Sequence, residues 1–360
     1  MADLLNILYL GPISGTCLDR ANALCRLGHQ VTHLDLRTLL PKTSWIDKVT
    51  WHLGGNFLAP LLIPNLRKAL KDQQYDLCWV DGGEWVTPKV IKLLRQNAPK
   101  IVSYSIDDPL GPRDGARNQA YRQSISCYDL CVVMREKNVD EAKTLSAKNV
   151  MRVFMTADEI THAPRVLSDE DYKEWSSDVL FVGTWMPERG SFLLELIKLD
   201  VPLTIRGSNW HKAPEWPELK DYWRGGSITG DEYAKVIQSA KVNLGLLSKG
   251  NRDLHTTRSS EIPALGGLLC AERTTEHAMM YKEGKEALFW NDAEECAAAC
   301  KLALADEPRR QSIAKAGQQR VKRHGQFNEQ VMQLIIARVD FSQKNNGLSS
   351  SNSKELGEAK

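Results

Sequence analysis

The chain alternates, almost from end to end, between short apolar runs and longer segments of helical spacing. Asn6-Ile-Leu-Tyr-Leu10 reads as a buried strand, and Gly11-Pro-Ile-Ser-Gly15 as a glycine loop after it. Leu18, Ala21, Leu24, Cys25 and Leu27 then recur at helical spacing behind a Ser14 or Thr16 cap. Gly28-His29 ends that helix before the strand Val31–Asp35. Strands alternating with helices in this way specify βαβ units and parallel sheets. The same pattern predicts helix Asn65–Gln73, strand Asp76–Val80, helix Pro88–Asn97, strand Lys100–Ser105, a helix over 113–125, strand Leu130–Met134, a helix over 136–146 and strand Met151–Phe154.

The alternation breaks over 157–178, which is acidic, polar and interrupted by Pro164, and restarts at Asp178-Val-Leu-Phe-Val-Gly183. Helix Ser191–Leu199, strand Leu203–Gly207, helix Asp231–Ser239, a strand over 241–247 and helices over 292–305, 309–321 and 327–339 follow. The fold class is therefore α/β, with two Rossmann-like domains at 1–156 and 179–325, a linker at 157–178 and a C-terminal helix at 326–340. The tail 341–360 lacks a hydrophobic pattern and is expected to be disordered. A length of 360 residues suits two domains of ordinary size.

Composition excludes several classes. A net charge of +2 gives no whole-molecule attraction to nucleic acid. No run approaches the ~20 apolar residues of a membrane span. The N-terminus has an acid where a signal peptide is basic, so a cytoplasmic protein is expected. The cysteines form no C-x-x-C pair; Cys127/Cys131 and Cys296/Cys300 lie one helical turn apart without histidines, as buried thiols. From Leu39 to Leu62 the pattern is irregular, with Trp45, Trp51 and Phe57. Packing of a long connection and peripheral contact with a membrane or acceptor are both open readings.

Two regions carry chemistry. On the first domain, the loop Gly11, Ser14, Gly15 reads as either a tight turn or a ligand-facing loop. Asp81 and Glu84, then Asp107 and Asp108, stand at the ends of consecutive strands. That position suits contact with a substrate hydroxyl and also suits turn formation. Asp107 and Asp108 have no histidine near in sequence, and no metal is expected. On the second domain, Leu244–Leu269 reads as a buried strand, a polar loop from Ser248 to Thr257 and a short helix ending at Gly266-Gly267. Lys249, Arg252, His255 and Arg258 crowd that turn, which suits a phosphate. Plainer roles exist: Arg258 and Glu261 could pair along a helix, and Asp253 could be a turn residue. Pro263 requires that helix to be short, kinked or begun close to Arg258. Trp185, Trp210 and Trp223 could flank a base or sugar, or pack the core.

The blocks I-D-D-P, D-V-L-F-V-G-T-W-M-P-E-R-G, Y-W-R-G-G-S-I-T-G-D-E-Y, N-L-G-L-L-S-K-G-N-R-D-L-H-T-T-R-S-S-E-I-P-A-L-G-G, E-G-K-E-A-L-F-W and E-P-R-R-Q-S-I-A-K-A-G-Q-Q-R-V stand in order. Together they resemble the CgeB-like (spore maturation protein) glycosyltransferases, over about 100–325. The resemblance implies a GT-B architecture, two Rossmann-like domains facing each other across a cleft. It implies transfer of a hexosyl or N-acetylhexosaminyl group from a nucleotide-diphosphate sugar to a protein, glycan or surface-polysaccharide acceptor, with retention and without a cofactor or metal. Asp253 and Glu261 would match a Glu-x7-Glu pattern, Asp253 near the transferred sugar and Glu261 on the donor ribose, joined on the base and ribose side by Gly207 and Ile228. The amides from Leu254 through His255, Thr256 and Thr257 would cradle the pyrophosphate. Thr184 and Arg189 occupy positions where such families carry Arg and Lys, so Arg252 or Arg258 would replace the missing cation. A nucleotide-sugar epimerase of the same architecture and a non-catalytic nucleotide-sugar binding protein remain as alternatives.

Overall fold

The computed structural model describes residues 4–341; the tail expected to be disordered lies, from residue 342 on, outside them. Eleven strands form two all-parallel sheets. β1 (Asn6–Leu10), β2 (Gln30–Leu34), β3 (Leu77–Asp81), β4 (Lys100–Ser105), β5 (Leu130–Val133) and β6 (Val150–Arg152) make the first, in the order β2-β1-β3-β4-β5-β6. β7 (Ser177–Val182), β8 (Leu203–Arg206), β9 (Ala240–Gly245), β10 (Leu269–Glu272) and β11 (Leu288–Trp290) make the second, in the order β11-β10-β9-β7-β8.

The period-2 pattern explains the layers. In the first sheet Leu8, Leu10, Cys78 and Val80 pack on one face, and Ile7, Tyr9, Leu77 and Trp79 on the other. In the second sheet Val179, Phe181, Val242 and Leu244 face one layer, and Leu180 and Val182 the opposite one. Parallel strands buried on both faces need such continuous apolar runs.

The chain crosses between the halves twice, side by side: Ala157 N donates to Gln326 O, and Asn328 N donates to Ala157 O, both at 3.0 Å. After the second crossing, helix Asn328–Arg338 returns to the first sheet. Met332 and Ile335, both fully buried, pack there against the cluster of Ile7, Tyr9 and Leu24. Each contributes about 1.5–3 kcal/mol by burial. Among the described residues no helix is long and apolar enough to cross a membrane.

Four local expectations change. The stretch 39–62, read as irregular, holds helix Ser44–Leu53 and the start of helix Ala59–Ala69. Their inward positions are sparse (Ile46 and Thr50; Leu62 and Leu66) and two prolines obscure the period. Pro60 fits the first turn of the second helix, where no amide bond is lost, so that helix starts before Asn65. Only Gln119–Ser124 is α-helical in the stretch 113–125. The segment 157–178 contains helix Asp169–Trp175, started by a reciprocal Ser168–Asp171 capping box.

Candidate active site

In each sheet the order reverses between its first and third strands, β1/β3 and β7/β9. Loops leaving such a switch point diverge and open a crevice beyond the strand ends. One cavity opens at each.

The first, about 630 Å³, is lined by the loops after β1, β3 and β4. Gly11, Ser14, Gly15, Asp81, Glu84 and Asp107 are all on its wall, as the strand-end positions predict. Gly11 packs closely there: a Cβ would sit 2.5 Å from Cys17 Sγ, which would have to turn away. Most of the carboxylates are engaged. Asp81 takes Arg20 Nη2 at 2.7 Å and the Tyr9 hydroxyl at 2.5 Å; burial, then the Asp81 charge, push the Tyr9 phenol well above its usual range. Glu84 takes Arg117 Nε at 2.7 Å. Asp47 takes Arg37 at 3.2 Å. Asp107 is exposed and, among the described residues, has neither a hydrogen bond nor an ion pair.

The second cavity, about 240 Å³, lies between the halves and is lined by Asp107, Arg135, Thr184, Arg189, Asp253, Thr256, Thr257 and Arg258. Asp107 thus lines both cavities. Arg189, on the helix after β7, is buried; its Nη1 donates to Thr184 O at 2.8 Å and its Nη2 to Leu246 O at 3.3 Å. These carbonyls aim the guanidinium without neutralising it. Burial, then the neighbouring Arg258 charge, lower its pKa to about 10. Arg258 opens helix Arg258–Ala264, so Pro263 falls at the sixth of seven positions, which resolves the proline constraint. Neither arginine has a carboxylate within 4.0 Å among the described residues, and the Nε of each is buried without an acceptor. Two guanidiniums on one cavity wall, Arg258 also attracted at longer range by Glu261, are suited to holding an anion.

The loop beneath them is braced. His277 Nδ1 faces the Glu272 carbonyl at 2.6 Å, which only accepts, so Nδ1 carries the proton. Nε2 then accepts from the Ser259 hydroxyl at 2.7 Å, and Ser259 Oγ accepts from Thr256 N at 3.0 Å. Burial depresses the His277 pKa to about 4, keeping the ring neutral in this network.

Other predicted donor-side residues are elsewhere. Lys249 is exposed and paired with Glu272. Arg252 adopts a left-handed φ of 55° and spans the halves, giving Nε to Asp108 and Nη1 to Glu141, each at 2.6 Å. Asp108 is accordingly buried, with Asn138 Nδ2 at 2.8 Å and Gly111 N at 2.9 Å, and does not line the acceptor-side cavity. Leu254 points outward. His255 is buried, accepting Met155 N at 2.8 Å on Nε2 and meeting Glu276 at Nδ1, so it braces the halves. Glu261 is buried outside the cavity, its carboxylate holding the Tyr233 hydroxyl at 2.7 Å and His162 Nε2 at 3.7 Å, so the ribose contact is not open to it here. Gly207 lies against Gly183, where a Cβ would be 2.0 Å from the Gly183 carbonyl, and Ile228 packs on the core; neither lines the cavity. Trp210 is core, its Nε1 donating to Gly183 O at 3.0 Å, and Trp223 donates to Gly207 O at 3.1 Å.

Arg135 and Arg113 were not among the residues expected at the crevice. Arg135 Nε donates to Asp253 Oδ1 at 2.9 Å, and Arg113 Nη1 to Asn251 Oδ1 at 2.7 Å. Both couple residues more than a hundred positions apart. The one available signal was that Arg135 follows strand β5 directly. Cys270, Cys296 and Cys300 have ligand atoms within 4.8 Å of one another, which is the one His/Cys/Asp/Glu grouping of metal-like spacing among the described residues; it is buried in the second domain's core, away from both cavities.

The two facing Rossmann-like domains, the crevice between them and the returning C-terminal helix define the GT-B fold. The same fold is found in sucrose-phosphate synthase from Thermosynechococcus elongatus (TM-score 0.66, 14% identity, 94% of this chain and 98% of that one). It is found in Anabaena HepE in complex with UDP-glucose (0.64, 12%, 92% and 99%) and in an E. coli trehalose-6-phosphate protein bound with UDP-2-fluoro glucose (0.64, 12%, 93% and 98%). Residues 189–336 match the family model described as glycosyl transferase-like. No curated protein matches the chain.

Proposed function

We propose that this protein is a glycosyltransferase that moves a sugar from a nucleotide-diphosphate sugar to an acceptor hydroxyl, with the donor pyrophosphate held by Arg189 and Arg258. The observation that carries this reading is the pair of guanidiniums on one cavity wall, each without a carboxylate within 4.0 Å among the described residues and each with a buried Nε lacking an acceptor. Breaking the sugar–phosphate bond leaves charge on the β-phosphate, and donors aimed there stabilise it as it develops. The glycosyl transferase-like match and the UDP-sugars bound to proteins of the same fold support the ligand class. The CgeB-like resemblance, a hexosyl or N-acetylhexosaminyl donor, a protein, glycan or surface-polysaccharide acceptor and a cytoplasmic site belong to the same proposal. So does metal independence, since the two arginines supply the charge that a divalent ion otherwise would.

The acceptor occupies the 630 Å³ cavity and presents its hydroxyl past Asp107, which with Ile106 is common to both cavities. Its oxygen bonds to the anomeric carbon as the carbon–phosphate oxygen bond breaks, and that electron pair passes to the leaving phosphate. On the retaining course implied by the resemblance, the hydroxyl proton goes to the departing phosphate oxygen on the same face. A second course, inversion, is favoured by one observation: Asp107 is unpaired and is placed to take that proton as a general base. An epimerase is less well served, because Asp81, Glu84 and Asp108 are all held in ion pairs.

The test is thermal stability with UDP, GDP, ADP, dTDP and CDP and their sugar conjugates. A ligand at about a hundred times its Kd adds ~2.7 kcal/mol. One nucleotide should stabilise the wild type and leave Arg189→Ala unmoved; no response to any of them rejects the donor site. Turnover of the identified conjugate then separates an enzyme from a binding protein.

A further inference from the structure

The first domain carries an outward aromatic surface that the donor and acceptor sites do not use. In helix Ser44–Leu53, Ile46 and Thr50 face the core at 0% and 4% exposure, whereas Trp45 and Trp51 are 44% and 48% exposed. Helical geometry puts Trp45, Lys48 and His52 on one stripe opposite Ile46 and Thr50. Leu53 and Phe57 follow, both exposed, and Leu61 shares the outer stripe of the next helix with Lys68, two turns on. Exposed large apolar side chains are ordinarily scattered singly. Here Trp45, Trp51, Leu53, Phe57 and Leu61 fall on consecutive elements in mutual contact.

The charge is segregated too. Lys42, Lys48, Arg67, Lys68 and Lys71 are exposed and form no ion pair among the described residues; of the two carboxylates over 42–72, Asp47 is taken by Arg37 and the other is Asp72. The whole chain has a net charge of only +2. We propose that this face docks on an anionic phospholipid bilayer, with the aromatic rings at headgroup depth and the cations on lipid phosphates. A second copy is a poor occupant, because a twofold interface would set the same cations against each other. The face adjoins the larger cavity: the Arg117 guanidinium lies 5.7 Å from the Trp51 ring, and Arg117 and Asp47 both line the cavity wall. Docking therefore brings that cavity to the lipid surface. If the glycosyltransferase reading holds, the acceptor is lipid-borne; the docking itself does not depend on it.

The experiment is co-sedimentation of the full chain with phosphatidylglycerol/phosphatidylethanolamine vesicles and with phosphatidylcholine vesicles, at about 0.1 M and about 1 M salt. Two variants accompany it, Trp45→Ser/Trp51→Ser/Phe57→Ser and Lys42→Gln/Lys48→Gln/Lys68→Gln, both checked for wild-type melting. The wild type is expected to bind the anionic vesicles at low salt and release at high salt, with affinity falling roughly fivefold per cation replaced. The aromatic variant is expected to stay in the supernatant. Equal binding to neutral vesicles, no binding at all, or wild-type binding by either variant overturns the proposal. So does a dimer, seen by light scattering, that the aromatic substitutions abolish.

Discussion

Arg135, just beyond β5 in the first domain, donates through Nε at 2.9 Å to Asp253 in the loop after β9 of the second, and both side chains are 5% exposed. The pair crosses the crevice at the cavity that the two arginines of the anion site share. Burial pushes the Asp253 carboxyl above its usual pKa, and the Arg135 charge opposes that push.

Removing one partner strands the other. Arg135→Ala should destabilise the closed molecule by about 3–5 kcal/mol, since an unpaired buried carboxylate remains. Asp253→Asn on that background should recover part of the loss. Denaturant melts of the three proteins check this; an unchanged Arg135→Ala midpoint sinks it.

Arg189 and Arg252 should part company. Arg189→Ala should lose the nucleotide-induced thermal shift and, in turnover, about 10²–10³-fold in kcat, as for loss of one donor to a developing anion. Arg252→Ala should keep the shift but melt earlier, because Arg252 ties Asp108 and Glu141 and lines neither of the two cavities. Identical behaviour of the two variants would contradict the assignment.

Acid should weaken that tie. Burial raises the Asp108 carboxyl, and the bonds from Arg252 and Asn138 outweigh it, leaving its pKa lowered; Glu141 is lowered chiefly by Arg252. A carboxylate with a depressed folded pKa contributes stability that is present above its unfolded value, about 4, and lost as pH falls through the folded one. Wild type and Arg252→Ala should therefore converge in stability below about pH 4.

His277 sets a different window. Its folded pKa of about 4 lies below the ordinary 6.5. The unfolded chain binds the proton first, so the stability due to this residue is complete above pH 6.5 and declines as pH falls toward 4. The decline is on the order of 3 kcal/mol. Unfolding free energies at successive pH values measure it, and His277→Gln should flatten the slope.

Asp107→Asn tests the chemical course. On inversion, kcat should fall by about 10²–10⁴-fold with donor binding intact, and the product anomer should be opposite to the donor's. On retention, the variant should remain within about tenfold of wild type. Proton NMR of the first product formed distinguishes the two.

Much of the architecture was legible because parallel strands buried on both faces leave unbroken apolar runs, such as Asn6–Leu10 and Val179–Val182. The two helices within 44–69 were hidden because their apolar residues face outward as often as inward. Arg258, expected from its place in the polar turn, and Arg189, Thr184, Thr256 and Thr257, expected on the donor side from the family resemblance, line one cavity. Lys249, Arg252, His255 and Glu261 were equally plausible by residue type, yet each is consumed by a partner.

By itself the sequence determined the alternation, the two sheets and the polar loop over 248–257, since these follow from local periodicity and turn chemistry. Only the tertiary structure decided which charges are spent. Asp108 closes on Arg252, 144 residues away, and Asp253 on Arg135, 118 away. No local pattern encodes such pairings, because they depend on how two separately folded halves meet. Arg189, Arg258 and Asp107 are left on the crevice wall without an ion pair among the described residues, and the proposed donor site rests on them.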